Sequence, residues 1–199
     1  MKRPQILHVG RFFTGGHCKR QDVLIEAVRR LVAADVSTEL HLAGSLHPEP
    51  EHRDYFAALV ESAAGLPVHF HTNCSAETLQ ALYAQSLIYW HATGYGEDVE
   101  RAPHLTEHFG ISVVEAMSAG CIPIVFAAGG PVEVVTDGVT GFHFRTLDEL
   151  CARTQTLIED TPAEALATLA GAATDAARSY DEATFKMKVR TLAARFVAR

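Results

Sequence analysis

The sequence predicts an α/β domain with a doubly wound, mostly parallel sheet. Short apolar segments alternate with longer segments of helical periodicity along most of the chain. The apolar segments are rich in Val, Ile and Leu, which is typical of strands covered on both faces. Leu24, Val28 and Leu31 recur at helical spacing in the first of the longer segments. Such alternation favours right-handed parallel crossovers and a sheet of about six strands.

Each element follows from its local pattern. The predicted strands cover residues 6–10, 39–44, 68–71, 87–91, 122–127 and 141–144, the last being the weakest candidate. The predicted helices cover residues 21–34, 52–64, 76–84, 110–119, 147–159, 162–179 and 182–197. We expect one domain over residues 1–199, with a sheet core at 1–145 and a helical C-terminal tail at 146–199. The connection 93–106 is long for an α/β unit, and long connections in compact domains are often functional.

Composition narrows the possible functions. A chain of 199 residues with 48% hydrophobic and 21% charged residues suits a globular domain. The net charge of −7 makes a nucleic-acid partner unexpected. No apolar run reaches the roughly 18 residues of a membrane span, and the first residues show no signal-peptide pattern, so a cytoplasmic location is expected. The four cysteines form no C-x-x-C pair and no H-E-x-x-H motif occurs, so we expect reduced thiols and no metal.

A glycine-bearing loop joins the first strand to the first helix. Gly10 and Arg11 end the strand, Gly15 and Gly16 follow, and Lys19 stands just before the helix. Glycines let backbone amides approach a phosphate, and a helix N-terminus adds partial positive charge. Arg11 can grip a diphosphate with two donors, with Lys19 as a point charge. The pattern predicts a diphosphate site or, alternatively, a surface turn with solvated basic residues; it matches neither a Walker loop nor a dinucleotide fingerprint.

Two carboxylates eight positions apart flank a predicted helix start. Glu107 precedes the helix, Phe109 and Gly110 lie between, and Glu115 falls about one and a half turns inside. Exposed amides at Gly110 favour an anion, and a carboxylate can accept two hydrogen bonds from a vicinal diol. The alternative to a ligand-binding role is structural. In that interpretation Glu107 interacts with the helix dipole and Glu115 is a solvated surface charge.

A third segment completes a family pattern. Gly129-Gly130-Pro131 is followed by Glu133 and by an Asp-Gly-x-x-Gly turn. Together with the Gly-Arg pair and the Glu-x7-Glu signature, this segment resembles family 4 glycosyltransferases, which are retaining enzymes of the GT-B fold. The resemblance covers nearly all of the chain and implies the Rossmann-like half that binds the sugar nucleotide. Glu133, at a helix opening, is interpreted as a dipole partner and not as a catalytic residue.

The resemblance also implies roles for individual residues. Arg11 and Lys19 would neutralise the donor diphosphate and Glu107 would face the donor sugar, which makes these three the catalytic candidates. Glu115 would bind the nucleotide ribose. The other implied donor-binding positions are Gly10, Ser45, Thr72, Phe109, Gly110 and Ile111. No cofactor is implied, because the nucleoside-diphosphate sugar is itself the substrate. Tyr89, Trp90 and His91 are expected in the core, His91 with its hydrogen bonds satisfied.

The predicted function is that of the donor-binding domain of a retaining glycosyltransferase. The first strand leads directly to Gly10 and Arg11, so the acceptor-binding N-terminal domain is expected to be missing and the isolated chain to be inactive. Any contact with a membrane would be made through that missing domain. The alternatives are a non-catalytic module that binds a nucleotide sugar or another protein, and an unrelated flavodoxin-like or dehydrogenase-like domain. The second of these would leave the two glutamates unexplained.

Overall fold

Six strands form one parallel sheet in the computed structural model, which describes residues 2–197. The strands are β1 (Arg3–Val9), β2 (Glu39–Gly44), β3 (Val68–Thr72), β4 (Ser86–His91), β5 (Ile122–Phe126) and β6 (Phe142–Phe144). The α-helices of this described part are α1 (Gln21–Ala33), α2 (Pro50–Ser62), α3 (Ala76–Gln85), α4 (Ile111–Ser118), α5 (Pro131–Val134), α6 (Leu147–Gln155), α7 (Ala163–Ala177) and α8 (Glu182–Val197).

The strand order places a crevice at the centre of the sheet. The order is β3-β2-β1-β4-β5-β6, and all five neighbouring pairs are parallel. The chain therefore moves outward from β1 to β3 and then returns across the sheet to β4. Ligands of doubly wound folds bind beyond the carboxyl ends of the strands where this reversal occurs, here between β1 and β4. The predicted doubly wound, Rossmann-like fold class is confirmed.

The two faces of the sheet carry separate hydrophobic cores. Ile6, Leu40 and Trp90 point to the face covered by α1, α2 and α6. Leu7 and Tyr89 point to the opposite face, which α3, α4, α5 and α7 cover. Side chains alternate along a strand, so consecutive apolar residues such as these serve both cores. The expected burial of Tyr89 and Trp90 is confirmed.

Most predicted elements agree with the structure within a few residues at their ends. The first strand starts earlier than expected, at Arg3, and α2 begins at Pro50. The α-helix predicted at 147–159 is shorter in the structure. α6 ends at Gln155, and the chain continues as a π-helical turn over Thr156–Asp160. A 3-10 turn, Pro103–Leu105, interrupts the long connection after β4 and was not predicted. Among the described helices none combines the length and apolar character needed to span a membrane.

Candidate functional site

The candidate site lies where the loops after β1 and β4 meet. The first loop runs from Gly10 to the start of α1, and the second from His91 to the start of α4. The two loops touch directly, because the His17 ring lies 3.2 Å from the Thr106 carbonyl oxygen and packs edge-on against His108. The central crevice therefore brings the basic residues of one loop to the carboxylate of the other.

Gly10 provides the space that Lys19 occupies. A Cβ added at Gly10 would lie 2.7 Å from Lys19 Cγ and 2.9 Å from His8 Nε2. Both distances are shorter than van der Waals contact, so any larger residue would displace the lysine. The lysine stem crosses the end of β1 at this point and directs its ammonium group into the crevice. The neighbouring Arg20 turns away and pairs with Asp22 at 3.1 Å.

Glu107 forms the centre of the site. Its Oε2 atom accepts a hydrogen bond from Lys19 Nζ at 2.7 Å and lies 3.3 Å from His91 Nε2. Its Oε1 atom accepts the backbone N–H of His108 at 3.1 Å. The Lys19 and Glu107 side chains are 16% and 18% exposed, so water screens the pair only weakly.

The charge state of Glu107 follows from these contacts. Burial opposes ionisation of the carboxyl group, but hydrogen bonds from His91 and Lys19 and the lysine charge favour it. The favourable contacts prevail, and they hold the pKa of Glu107 well below its usual range. The group is therefore a permanent carboxylate near neutral pH, able to accept hydrogen bonds but not to donate a proton.

His91 is not the satisfied core histidine that was expected. It is buried as predicted, but its Nε2 atom faces Glu107 and its buried Nδ1 atom has no hydrogen-bond partner. Burial lowers its pKa, although the neighbouring carboxylate acts in the opposite direction. A neutral ring that donates from Nε2 to Glu107 accounts for both observations. A histidine ending a buried strand gave no local signal of this contact, because Glu107 reaches it only through the loop.

The glycine pair after β5 fixes the backbone that carries Glu107. The N–H group of Gly130 donates to the Glu107 carbonyl oxygen at 2.7 Å. A Cβ at Gly129 would clash with that same carbonyl oxygen, and one at Gly130 with the His108 carbonyl group. In the sequence these glycines were recognised only as part of a family pattern. The structure adds close backbone packing that positions Glu107.

The start of α4 has the backbone geometry expected of an anion site. Gly110 precedes the helix with φ 87°, in the left-handed region that favours glycine. Phe109 and Ile111 line a pocket of about 780 Å³ against α8, and Glu115 lines the same pocket. Ile111 is 67% exposed, and Phe109 packs edge-on against Tyr180.

Glu115 occupies the exposed side of α4. Its Oε2 atom accepts the Tyr83 hydroxyl hydrogen bond at 2.9 Å. The residue lines the pocket against α8 and also a second pocket, of about 430 Å³, beside α3. Leu79 lines that second pocket together with a third pocket at the ends of β1 and β2. Leu79 thus borders both the pocket at the strand ends and the pocket beside Glu115.

The remaining predicted residues lie around the third pocket. Arg11 and Ser45 line this pocket, which has a volume of about 340 Å³, together with Gly10. The Arg11 guanidinium group stacks over the Phe13 ring at 4.7 Å. Thr72 ends β3 outside the pocket lining. The structure therefore places Gly10, Lys19 and Glu107 together, Arg11 and Ser45 at the neighbouring pocket, and Phe109 and Ile111 with Glu115 at the pocket against α8.

This combination of fold and crevice is that of a glycosyltransferase domain. The profile of the family described as "Glycosyl transferases group 1" matches residues 1–174, and the chain belongs to that family. Its fold matches that of the Anabaena protein HepE in complex with UDP-glucose. The TM-score is 0.74 and the identity 26%, over 96% of this chain and 48% of HepE.

Curated relatives give shorter or weaker matches. A GDP-Man:Man(3)GlcNAc(2)-PP-Dol alpha-1,2-mannosyltransferase of Xenopus laevis is 28% identical over 71% of this chain and 28% of its own length. A sucrose synthase of Acidithiobacillus caldus is 48% identical over 48 residues, which are 24% of this chain and 6% of that enzyme. The chain thus spans less than half of the length of each of these proteins.

Proposed function

We propose that the chain binds the sugar nucleotide for a retaining family 4 glycosyltransferase, which moves a sugar from a nucleoside diphosphate to an acceptor hydroxyl. One observation carries the proposal. The Lys19 ammonium group, the Glu107 carboxylate and the His91 ring meet at the crevice between β1 and β4. This is the place where doubly wound folds bind nucleotides. At this place the Lys19 ammonium group is suited to bind phosphate, and the Glu107 carboxylate is suited to accept hydrogen bonds from sugar hydroxyls.

The diphosphate would be held by two cations and a helix N-terminus. Lys19 has three N–H donors and uses one on Glu107, so the others can reach phosphate oxygens. Arg11 lines the neighbouring pocket and is exposed, which leaves its guanidinium group free to turn toward a diphosphate. The amides that follow Gly110 add partial positive charge. Together these groups can offset a diphosphate without a divalent ion.

Glu107 would act on the donor sugar as a fixed negative charge. A retaining transfer develops positive charge at the anomeric carbon while the diphosphate departs. An ionised, preorganised carboxylate stabilises such charge and also accepts hydrogen bonds from sugar hydroxyls. The low pKa of Glu107 excludes a role as general acid near neutral pH. Lys19 and His91 keep its carboxylate in one orientation.

Glu115 would bind the ribose of the nucleotide. Leu79 borders both the pocket in the proposed diphosphate region and the pocket beside Glu115, so a bound nucleotide would extend from one to the other past this residue. The Tyr83 hydroxyl holds one carboxylate oxygen and leaves the other for a diol. Ser45 lines the same pocket as Arg11, so the diphosphate or the sugar would reach it there.

The acceptor would be held by a second domain facing this one. HepE carries UDP-glucose in its crystal structure, and this chain spans 48% of that protein. The residues assigned above all serve the donor, so a second domain would have to orient the acceptor hydroxyl. Transfer needs donor and acceptor fixed in one closed cleft. The isolated chain would therefore bind donor without transferring sugar.

Product stereochemistry tests the reaction class. The chain is joined to an acceptor domain or expressed within its longer parent, and incubated with a series of UDP- and GDP-sugars. The anomeric configuration of the product is then read by proton NMR. We expect the product to retain the anomeric configuration of the donor. Glu107→Gln should abolish most of the transfer. An inverted product would contradict the proposal, and donor binding without any transfer would favour a non-catalytic sugar-nucleotide module.

A further inference from the structure

Three histidines and a glutamate form a cluster at the outer edge of the sheet. Glu39 and His41 lie on β2, and His69 and His71 lie on β3. The parallel register pairs His41 with His69, and alternate residues of a strand share one face, so all four side chains project from the same face of the sheet. The intervening residues, such as Phe70, project into the core on the other face. None of the four lines the pocket of the candidate donor site.

The potential ligand atoms of Glu39, His41 and His69 lie close to one another. His41 Nε2 lies 3.4 Å from Glu39 Oε1, and His69 Nε2 lies 3.3 Å from Glu39 Oε2. One ligand atom from each of these residues lies within 4.8 Å of the others. A tetrahedral zinc ion with ligands at about 2.0–2.2 Å has ligand–ligand separations of about 3.3–3.6 Å. Both imidazole–carboxylate distances lie in this range, each to a different oxygen of Glu39.

His41 lacks the partner that a metal ion would supply. Its Nε2 atom is buried and makes no hydrogen bond, although it faces the Glu39 carboxylate. Its Nδ1 atom lies 2.9 Å from His71 Nε2, so Nδ1–H can donate to His71 and leave the Nε2 lone pair directed at the cluster centre. A histidine that ligates a metal usually donates its other ring N–H in this way.

We propose that Glu39, His41 and His69 bind a divalent transition metal ion of the zinc class, with His71 orienting His41. Two imidazoles and a carboxylate suit Zn²⁺, Co²⁺ or Ni²⁺ rather than Mg²⁺ or Ca²⁺. Glu39 and His69 are 40% and 49% exposed, so solvent can enter and occupy the fourth position. The ion would clip the edge strand β3 to β2 and stabilise the folded chain. The site is separate from the proposed donor site and does not depend on it.

The sequence analysis expected no metal, and this proposal departs from that expectation. Alternate positions on two strands bring the ligands together only through the strand pairing. Motif searches examine spacing within one helix or one loop, and no such spacing occurs here.

Metal titration tests the proposal on the untagged 199-residue chain after treatment with a chelator. Zn²⁺ affinity and stoichiometry are measured by competition with a chromophoric chelator, and Co²⁺ is added to read coordination geometry from its visible absorption. We expect one saturable site and tetrahedral Co²⁺ bands. His71→Ala should weaken binding about 10–100-fold, the usual effect of losing an outer partner of a metal ligand. His69→Ala and Glu39→Gln, which remove a ligand, should weaken it further.

The controls separate this site from adventitious binding. His104→Ala removes an exposed histidine elsewhere and should leave the affinity unchanged. Circular dichroism checks that each variant folds. His69 is exposed and Glu39 is half-buried, so His69→Ala is the variant that should perturb folding least. The proposal is wrong if the parent chain shows no stoichiometric site, or if His69→Ala and Glu39→Gln bind Zn²⁺ as tightly as the parent does. Nucleotide affinity in excess chelator should not change in any of these variants, so the donor site is tested independently.

Discussion

Replacing Glu107 with Gln removes one charge from the Lys19–Glu107 pair and keeps the side-chain size. The two side chains are 16% and 18% exposed, so the pair lies between the surface and buried limits. Surface pairs contribute about 0–1 kcal/mol, whereas breaking a buried pair costs about 3–5 kcal/mol. Hydrogen bonds to charged groups contribute about 1.5–3 kcal/mol. We expect Glu107→Gln to lower the free energy of unfolding by about 1–3 kcal/mol at pH 7.

The pH dependence of this loss gives a sharper test. The folded state lowers the pKa of Glu107 below its ordinary value of 4.5, so the ionised group contributes stability that is present above that pH. The contribution is lost as the pH falls below 4.5 toward the folded-state pKa. The stability difference between parent and Glu107→Gln should therefore be largest near neutral pH and shrink in acid.

Urea denaturation, extrapolated to water at several pH values, measures both quantities. Glu133→Gln changes an exposed glutamate outside the cluster and should alter stability by no more than about 0.5 kcal/mol. A difference for Glu107→Gln that stays constant from pH 7 to pH 3 would refute the electrostatic account of the site. So would a variant as stable as the parent at pH 7.

Two further substitutions examine other parts of the site. Glu115→Ala should weaken nucleotide binding by about 1–3 kcal/mol without unfolding the domain, because it removes a charge-assisted hydrogen bond. Calorimetry measures that affinity, with Glu133→Ala as the matched control and unchanged affinity as the contradicting result. Gly130→Ala should lower the free energy of unfolding by about 1–3 kcal/mol or more, since its Cβ would meet the His108 carbonyl group. Its φ of −59° suits alanine, so an unaffected stability would mean that the close packing is not rigid.

Local patterns were sufficient to predict most strands and helices. Buried parallel strands such as β5 are short, wholly apolar and bounded by breakers, and α1 shows clear helical periodicity. No local pattern distinguishes the π-helical turn after α6, because its residues continue the helical periodicity. The 3-10 turn at Pro103–Leu105 is too short to produce a periodic signal.

Only those residues of the candidate site that belong to a sequence motif could be predicted. Lys19 and Glu107 stand far apart in sequence and meet because β1 and β4 are neighbours, a strand order that periodicity does not specify. The resemblance supplied their association, and the structure brings them within 2.7 Å. The contact of His91 with Glu107 and the pairing of His41 with His69 depend on loop course and strand register. No motif of the sequence contained that information.

Donor binding is the central claim, and titration calorimetry tests it most directly. The isolated chain is titrated with UDP, GDP and ADP in excess EDTA, together with Lys19→Ala and with the control Lys186→Ala, an exposed lysine on α8. We predict saturable binding of at least one nucleoside diphosphate without a divalent ion, weakened by about 1.5–3 kcal/mol in Lys19→Ala and unchanged in the control. Absence of binding to all three nucleotides, a strict need for a divalent ion, or equal affinity in Lys19→Ala would contradict the account.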